Sequence, residues 1–199
     1  ALGLPDDAPV LAVLPGSRGS EIDAIAPVCL QAAARLQRER PRLRLLLPAA
    51  PGFRDRLQAE VSRHAAEATV TLLDGRSHEA LAACDVALVA SGTATLETAL
   101  FKRPMVIGYR MNALSWQLMK RMAYQPWVGL PNILAREFVV PERIQERCDP
   151  AQLERDVLAW LDDAARRERV AARFTELHHQ LRRNTAQRAT DALAQVFAL

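Results

Sequence analysis

The chain has 199 residues, half of them apolar, enough to bury one substantial core with at most an appendage. Its 26 basic and 23 acidic residues leave a net charge of +3, too even a balance to mark a nucleic-acid-binding protein, so no nucleic-acid partner is expected. Cys29, Cys84 and Cys148 are odd in number and far apart, which suggests neither a disulfide framework nor a zinc cluster and fits a reducing compartment; no apolar run approaches the roughly 20 residues that cross a bilayer, and no signal-peptide pattern opens the sequence.

In chain order, apolar runs at 10–14, 43–47, 69–73, 86–90 and 105–109 read as buried strands. Helical periodicity falls between and after them at 20–39, 52–66, 77–83, 92–102 and 112–123. This alternation predicts an α/β fold, a Rossmann-like, doubly wound parallel sheet. Pro126, Pro131 and Pro141 break the next region into loops, and from Asp149 onward only helical spacing remains, a helical C-terminal tail. The expected division is a nucleotide-binding domain over 1–165 and a tail over 166–199.

Ligands of such sheets bind at the carboxyl ends of the strands, so the loops after the apolar runs hold the candidate site. After the first run comes Pro15-Gly16-Ser17-Arg18. Gly16 permits a tight turn, Ser17 offers a hydroxyl, and Arg18 offers a planar cation able to fork two bonds to a phosphate at a helix N-terminus. A plain strand–helix turn with a solvated Arg18 accounts for this tetrapeptide equally well. After the fourth run, Ser91, Gly92 and Thr93 open a helix whose Glu97 follows one turn, about 5.4 Å, later on the same side. That separation suits phosphates at the helix end and a ribose at the carboxylate, although Glu97 also reads as an ordinary surface acid.

The set LLDG, ASGTATLETAL, KRPMVIGYRMNALSW and WVGLPNILAREFVVPE, in this order and over about 10–197, resembles the lipid A disaccharide synthase family, and it covers only the C-terminal half of such an enzyme. The resemblance implies the two-domain GT-B glycosyltransferase fold, with this half binding the UDP part of UDP-2,3-diacylglucosamine. The sugar goes with inversion to 2,3-diacylglucosamine 1-phosphate (lipid X), giving a β-1,6 disaccharide and UDP, with no metal or cofactor. It also implies a cytoplasmic enzyme peripheral to the inner face of the bacterial inner membrane. By the same resemblance, Gly16, Ser17 and Arg18 meet the diphosphate or sugar, with Arg18 stabilising the leaving group, and Ser91, Gly92 and Thr93 supply helix-end contacts. Glu97 holds the ribose, Tyr109 and Arg110 reach the uracil region, and Asn132 offers its amide near the sugar or phosphates. Many relatives read Ala-Gly-Arg-Glu where this chain reads Ala135-Arg136-Glu137-Phe138.

The family's catalytic acids lie in its N-terminal domain, so the 199 residues alone are expected to bind UDP weakly and to catalyse nothing. Phe174, Leu177, Leu181, Leu193, Val196 and Phe197 are expected to lack cover, because the tail crosses to that other domain; exchange of the tail between chains, giving a homo-oligomer, is the corollary. Leu114, Leu118 and Met122 at four-residue spacing read as core, with Trp116, Lys120 and Arg121 as a rim suited to a membrane surface. His64, His178 and His179 read as solvated, His78 as a first-turn helix residue near the crevice, and Cys29 and Cys84 as buried thiols. Two other readings remain open: another UDP-sugar enzyme of this architecture, an epimerase or peptidoglycan-pathway transferase, and a non-catalytic binding or interaction module.

Overall fold

A computed structural model describes residues 2–5, 7–111, 116–117 and 125–197. Six strands, β1 (Val10–Leu14), β2 (Arg44–Ala49), β3 (Val70–Asp74), β4 (Val86–Ala90), β5 (Met105–Tyr109) and β6 (Glu142–Ile144), form one parallel sheet in the order β3-β2-β1-β4-β5-β6. The order reverses between β1 and β4, whose ends are level because Leu14 pairs with Val89.

The helices are α1 (Gly19–Glu39), α2 (Arg54–His64), α3 (Ser77–Ala83), α4 (Thr93–Leu100), α5 (Leu130–Ala135), α6 (Pro150–Leu161), α7 (Ala164–Leu181) and α8 (Thr185–Phe197). α1 packs with α2 and α6, while α4 packs with α5 and α7 across the sheet. β1 and β4 are buried along their whole length, as strands covered on both faces must be. α6 is pinned by Trp160, whose buried indole donates to the Met105 carbonyl (3.1 Å), and by Arg35 on α1 bonding Glu154 (2.5 Å).

The five expected strands are present, β1, β4 and β5 at the expected bounds and β2 and β3 displaced by a residue or two. Two elements fall where loops were expected. β6 is three residues long and mostly polar, Glu142-Arg143-Ile144, and α5 is six residues long, so neither carries a readable period. β3 is an edge strand with only Leu73 buried, contrary to the expectation of a covered strand. The helix expected over 112–123, with its Leu114, Leu118, Met122, Lys120 and Arg121, lies outside the described residues except for Trp116 and Gln117, which are helical.

The expected uncovered tail divides in two. Phe174 and Leu177 are buried in the seam of α7 with its neighbours, because α7 lies on the sheet domain; Leu193, Val196 and Phe197 of α8 are exposed, and Leu181 partly so. Residues 182–184 separate α7, which packs with α4, α5 and α6, from α8. His178 receives a bond from the Lys102 ammonium (2.8 Å), whose charge holds the imidazole below its ordinary pKa, and the His178 and His179 rings lie 6.2 Å apart at 23°.

All three thiols are buried, and burial pushes Cys84 up to about 12 and Cys29 well above the usual range. A thiol reagent at neutral pH should therefore leave Cys29, Cys84 and Cys148 unmodified in the folded chain and titrate all three after unfolding in guanidinium.

Candidate functional site

The reversal between β1 and β4 opens a cleft of about 400 Å³ at the carboxyl ends of the strands. The β1–α1 turn forms one wall and the β4–α4 turn the other; Ala50 and Pro51 after β2 and Gly75 and Ser77 after β3 extend it. Gly16, Ser17, Arg18, Ser91, Gly92, Thr93 and Glu97 all line this cleft, so residues more than 70 positions apart meet there.

Both helices present their N-termini without a side-chain cap: Arg18 stands at the N-cap of α1 and Gly92 at that of α4, and neither side chain accepts from a first-turn amide. The first amides of a helix have no partner within it and carry part of the macrodipole's positive charge, so two such ends at one cleft favour an anion. Gly16 holds φ +115°, outside the comfortable range of L side chains, and a Cβ there would come within 2.7 Å of Glu21. Arg18 is 79% exposed and Glu97 42% exposed. His78, in the first turn of α3, brings Nε2 to 3.6 Å from the Glu97 carboxylate and rests its ring on Phe101.

Four expected contacts lie elsewhere or are already committed. Asn132 is fully buried: its amide donates to the Val140 carbonyl (2.9 Å) and to Glu142 (2.8 Å), and its oxygen accepts from the Val139 and Val140 amides. All four of its hydrogen bonds are made inside the protein, so it offers none to a sugar or phosphate. Tyr109 ends β5 outside the cleft lining; burial, then the charge of nearby Glu21, pushes its phenol up. Arg110 turns toward Cys148 and Cys29, whose thiols feel its charge. Ser91 lines the cleft, but its hydroxyl donates to the Val128 carbonyl (2.9 Å) and its amide to Gly108 (3.0 Å).

These committed groups form a brace. Glu142 on β6 accepts from the Val128 and Gly129 amides and from Asn132, which shapes the turn into α5. That turn is hooked to α4 by Ser91 and by Thr95, whose hydroxyl accepts from the Leu130 amide (3.3 Å) and donates to Gly92 (2.7 Å). Gly129 packs closely at the contact: a Cβ there would meet Ile107 Cδ1 at 2.3 Å, so that side chain would have to shift. Gln145 fixes the chain after β5 by bonding both Met111 backbone groups. Arg136 takes the left-handed conformation that ends α5, φ 55°, and Glu137 is bound by Arg173 of α7, so the departure at Ala135-Arg136-Glu137-Phe138 is a helix stop tied to the tail.

Sequence reasoning missed Glu21, Glu142 and Gln145. Glu21 was the accessible one: an acid three residues after a helix-capping position is the capping-box spacing. Glu142 and Gln145 lie in a stretch without periodicity.

Comparison with known proteins supplies the family. The family model described as lipid-A-disaccharide synthetase matches residues 1–197. The chain belongs to the lipid-A-disaccharide synthase family. Lipid-A-disaccharide synthase of Verminephrobacter eiseniae is 53% identical over 203 residues, 99% of this chain and 52% of that protein; the enzyme of Thiobacillus denitrificans is 53% identical over 194 residues, 97% and 51%. The chain thus spans about half the length of these curated relatives. Among solved structures, WaaG, a glycosyltransferase involved in lipopolysaccharide biosynthesis, overlays with a TM-score of 0.61 at 16% identity, covering 92% of this chain and 45% of WaaG. The UDP-GlcNAc 2-epimerase of Neisseria meningitidis, bound to UDP-GlcNAc, overlays at 0.58 with 12% identity, covering 84% and 40%. These likenesses show the GT-B-like fold.

Because the brace leaves partners stranded when broken, Asn132→Ala should cost roughly 2–3 kcal/mol of stability, read as a lowered urea midpoint; an unchanged midpoint would mean that the amide is not structural.

Proposed function

We infer that this chain is the nucleotide-sugar half of an inverting glycosyltransferase, a hexosyltransferase that moves 2,3-diacylglucosamine from UDP-2,3-diacylglucosamine to 2,3-diacylglucosamine 1-phosphate and releases UDP. The observation that carries the reading is the cleft at the strand-order reversal, with two helix N-termini and Arg18 on one side of the chemistry and Glu97 one turn up α4, in a chain of this family.

The chemistry asks two things of the protein. As the anomeric C–O bond breaks, negative charge grows on the departing diphosphate, and fixed donors lower the barrier by meeting that charge. Arg18, the Ser17 amide and the first amides of α4 are such donors. Glu97, set back from the phosphates, accepts from the ribose hydroxyls; a carboxylate next to the phosphates would repel them. The second demand, a base for the acceptor hydroxyl on the opposite face, falls to the half of the family enzyme outside these 199 residues. The chain alone therefore binds UDP weakly and forms no disaccharide. The diacylated substrates place the working enzyme on the cytoplasmic face of the inner membrane, and no described helix is long and apolar enough to cross one. The exposed Leu193, Val196 and Phe197 of α8 serve as the face by which the tail crosses to the other domain, its own or a second copy's.

Calorimetric titration tests the reading. UDP should bind in clear preference to ADP, and Arg18→Ala and Glu97→Ala should each weaken UDP roughly tenfold or more, the loss expected for hydrogen bonds to charged groups; equal affinity for UDP and ADP would refute a donor site. Supplied with both acylated substrates, the purified chain should form no disaccharide, and any turnover above the uncatalysed rate would show that the base lies within it.

A further inference from the structure

The anion-binding groups of the PGSR loop are not idle. Glu21, in the first turn of α1, accepts a bond from the Ser17 amide at Oε2 (3.1 Å) and one from Arg18 Nη1 at Oε1 (2.9 Å). One carboxylate thus spans an amide and a guanidinium with both oxygens, the bonding pattern that two phosphate oxygens would adopt with the same donors. Gly16 makes room for it: the Glu21 Cβ and Oε2 lie 2.7 and 2.8 Å from where a Cβ at position 16 would stand. Glu21 also lines the cleft, and its charge contributes to the raised pKa of Tyr109. The carboxylate is only 27% exposed.

The Ser17 amide has a single N–H, so a phosphate that takes it must displace this carboxylate, and two anions at contact repel. We propose that Glu21 is an internal anion that occupies the PGSR site in the empty protein and is displaced by the diphosphate, which makes it a specificity residue selecting ligands charged enough to take its place. The proposal rests on the reading that the diphosphate docks at PGSR. A neutral nucleoside leaves Glu21 on Arg18; a diphosphate, with more charge and more acceptor oxygens than a carboxylate, takes the Ser17 amide and frees Arg18 to turn to the ligand. After transfer, return of the carboxylate hastens release of UDP. An ordinary helix cap, or a residue that merely positions Arg18, has the opposite signature: removing its charge leaves phosphate binding unchanged or weakens it.

Glu21→Gln separates these roles, because the single amide oxygen of glutamine can still accept from the Ser17 amide while the charge and the bond from Arg18 are removed. Calorimetric titrations at low salt with UDP, inorganic pyrophosphate and uridine should show the variant binding UDP and pyrophosphate about three- to tenfold tighter than the parent chain, the scale of an exposed charge pair plus relief of repulsion, with uridine unchanged. Glu21→Asp, whose shorter side chain withdraws from both donors, is a second variant expected to move in the same direction, and circular dichroism with a urea midpoint verifies that each is folded. Unchanged or weaker binding of UDP and pyrophosphate by folded Glu21→Gln, while Arg18→Ala still weakens UDP, overturns the displacement role and leaves the donor site standing. Loss of UDP affinity in neither Glu97→Ala nor Arg18→Ala, or no UDP binding by the folded chain, overturns both.

Discussion

All six strands run in one direction, and that constraint organises the rest of the molecule. Parallel strands bring every carboxyl end to one edge, and the crossover helices must then lie on both faces. Where the strand order reverses, between β1 and β4, the chain leaves in opposite directions and a cleft opens at the strand ends. The cleft is therefore a consequence of topology, and the two uncapped helix N-termini beside it follow from the same geometry.

An uncovered gap needs a firm rim, and here a small buried polar network provides it. Glu142 and Asn132 spend all or nearly all of their hydrogen-bonding capacity on the backbone of 128–140, and Ser91 and Thr95 carry the restraint to the start of α4. Buried groups so fully satisfied are rigid, because any movement strands several of them at once. α4 can thus hold its free amides in a fixed direction without spending a side chain on capping them. The opposite wall is built differently. There the donors on Ser17 and Arg18 belong to a half-exposed loop and are held by a single carboxylate, a contact that an incoming anion can exchange. On the proposed function, a fixed rim facing an exchangeable one suits a site that both binds a charged donor and lets its product go.

The fold was largely legible because covered parallel strands have no polar face: Val10–Leu14 and Val86–Ala90 can be little else, and amphipathic stretches between them require crossovers. Legibility failed where elements are short and polar. β6 shows no alternation in Glu142-Arg143-Ile144, and α5 has fewer than two turns. It failed also for α7, whose basic surface hides that Val170, Phe174 and Leu177 pack onto the sheet domain.

For the site, local chemistry was readable and direction was not. That PGSR and SGTATLE stand at strand–helix turns follows from pattern alone, as does the placement of Glu97 one turn beyond Thr93, since both depend on neighbours within a few residues. Whether a side chain faces the cleft or the interior depends on partners far away in sequence. Asn132 reads as a free amide until Val140 and Glu142 fold against it, Ser91 as a free hydroxyl until Val128 arrives 37 residues later, and Arg18 as an open cation although Glu21 holds it. The amino-acid sequence by itself determined five of the six strands, their parallel direction and the positions of the PGSR and SGTATLE turns, because those rest on short-range periodicity and turn chemistry. Only the tertiary structure decided which polar groups remain for a ligand, because that is settled by long-range hydrogen bonds whose partners no local pattern specifies.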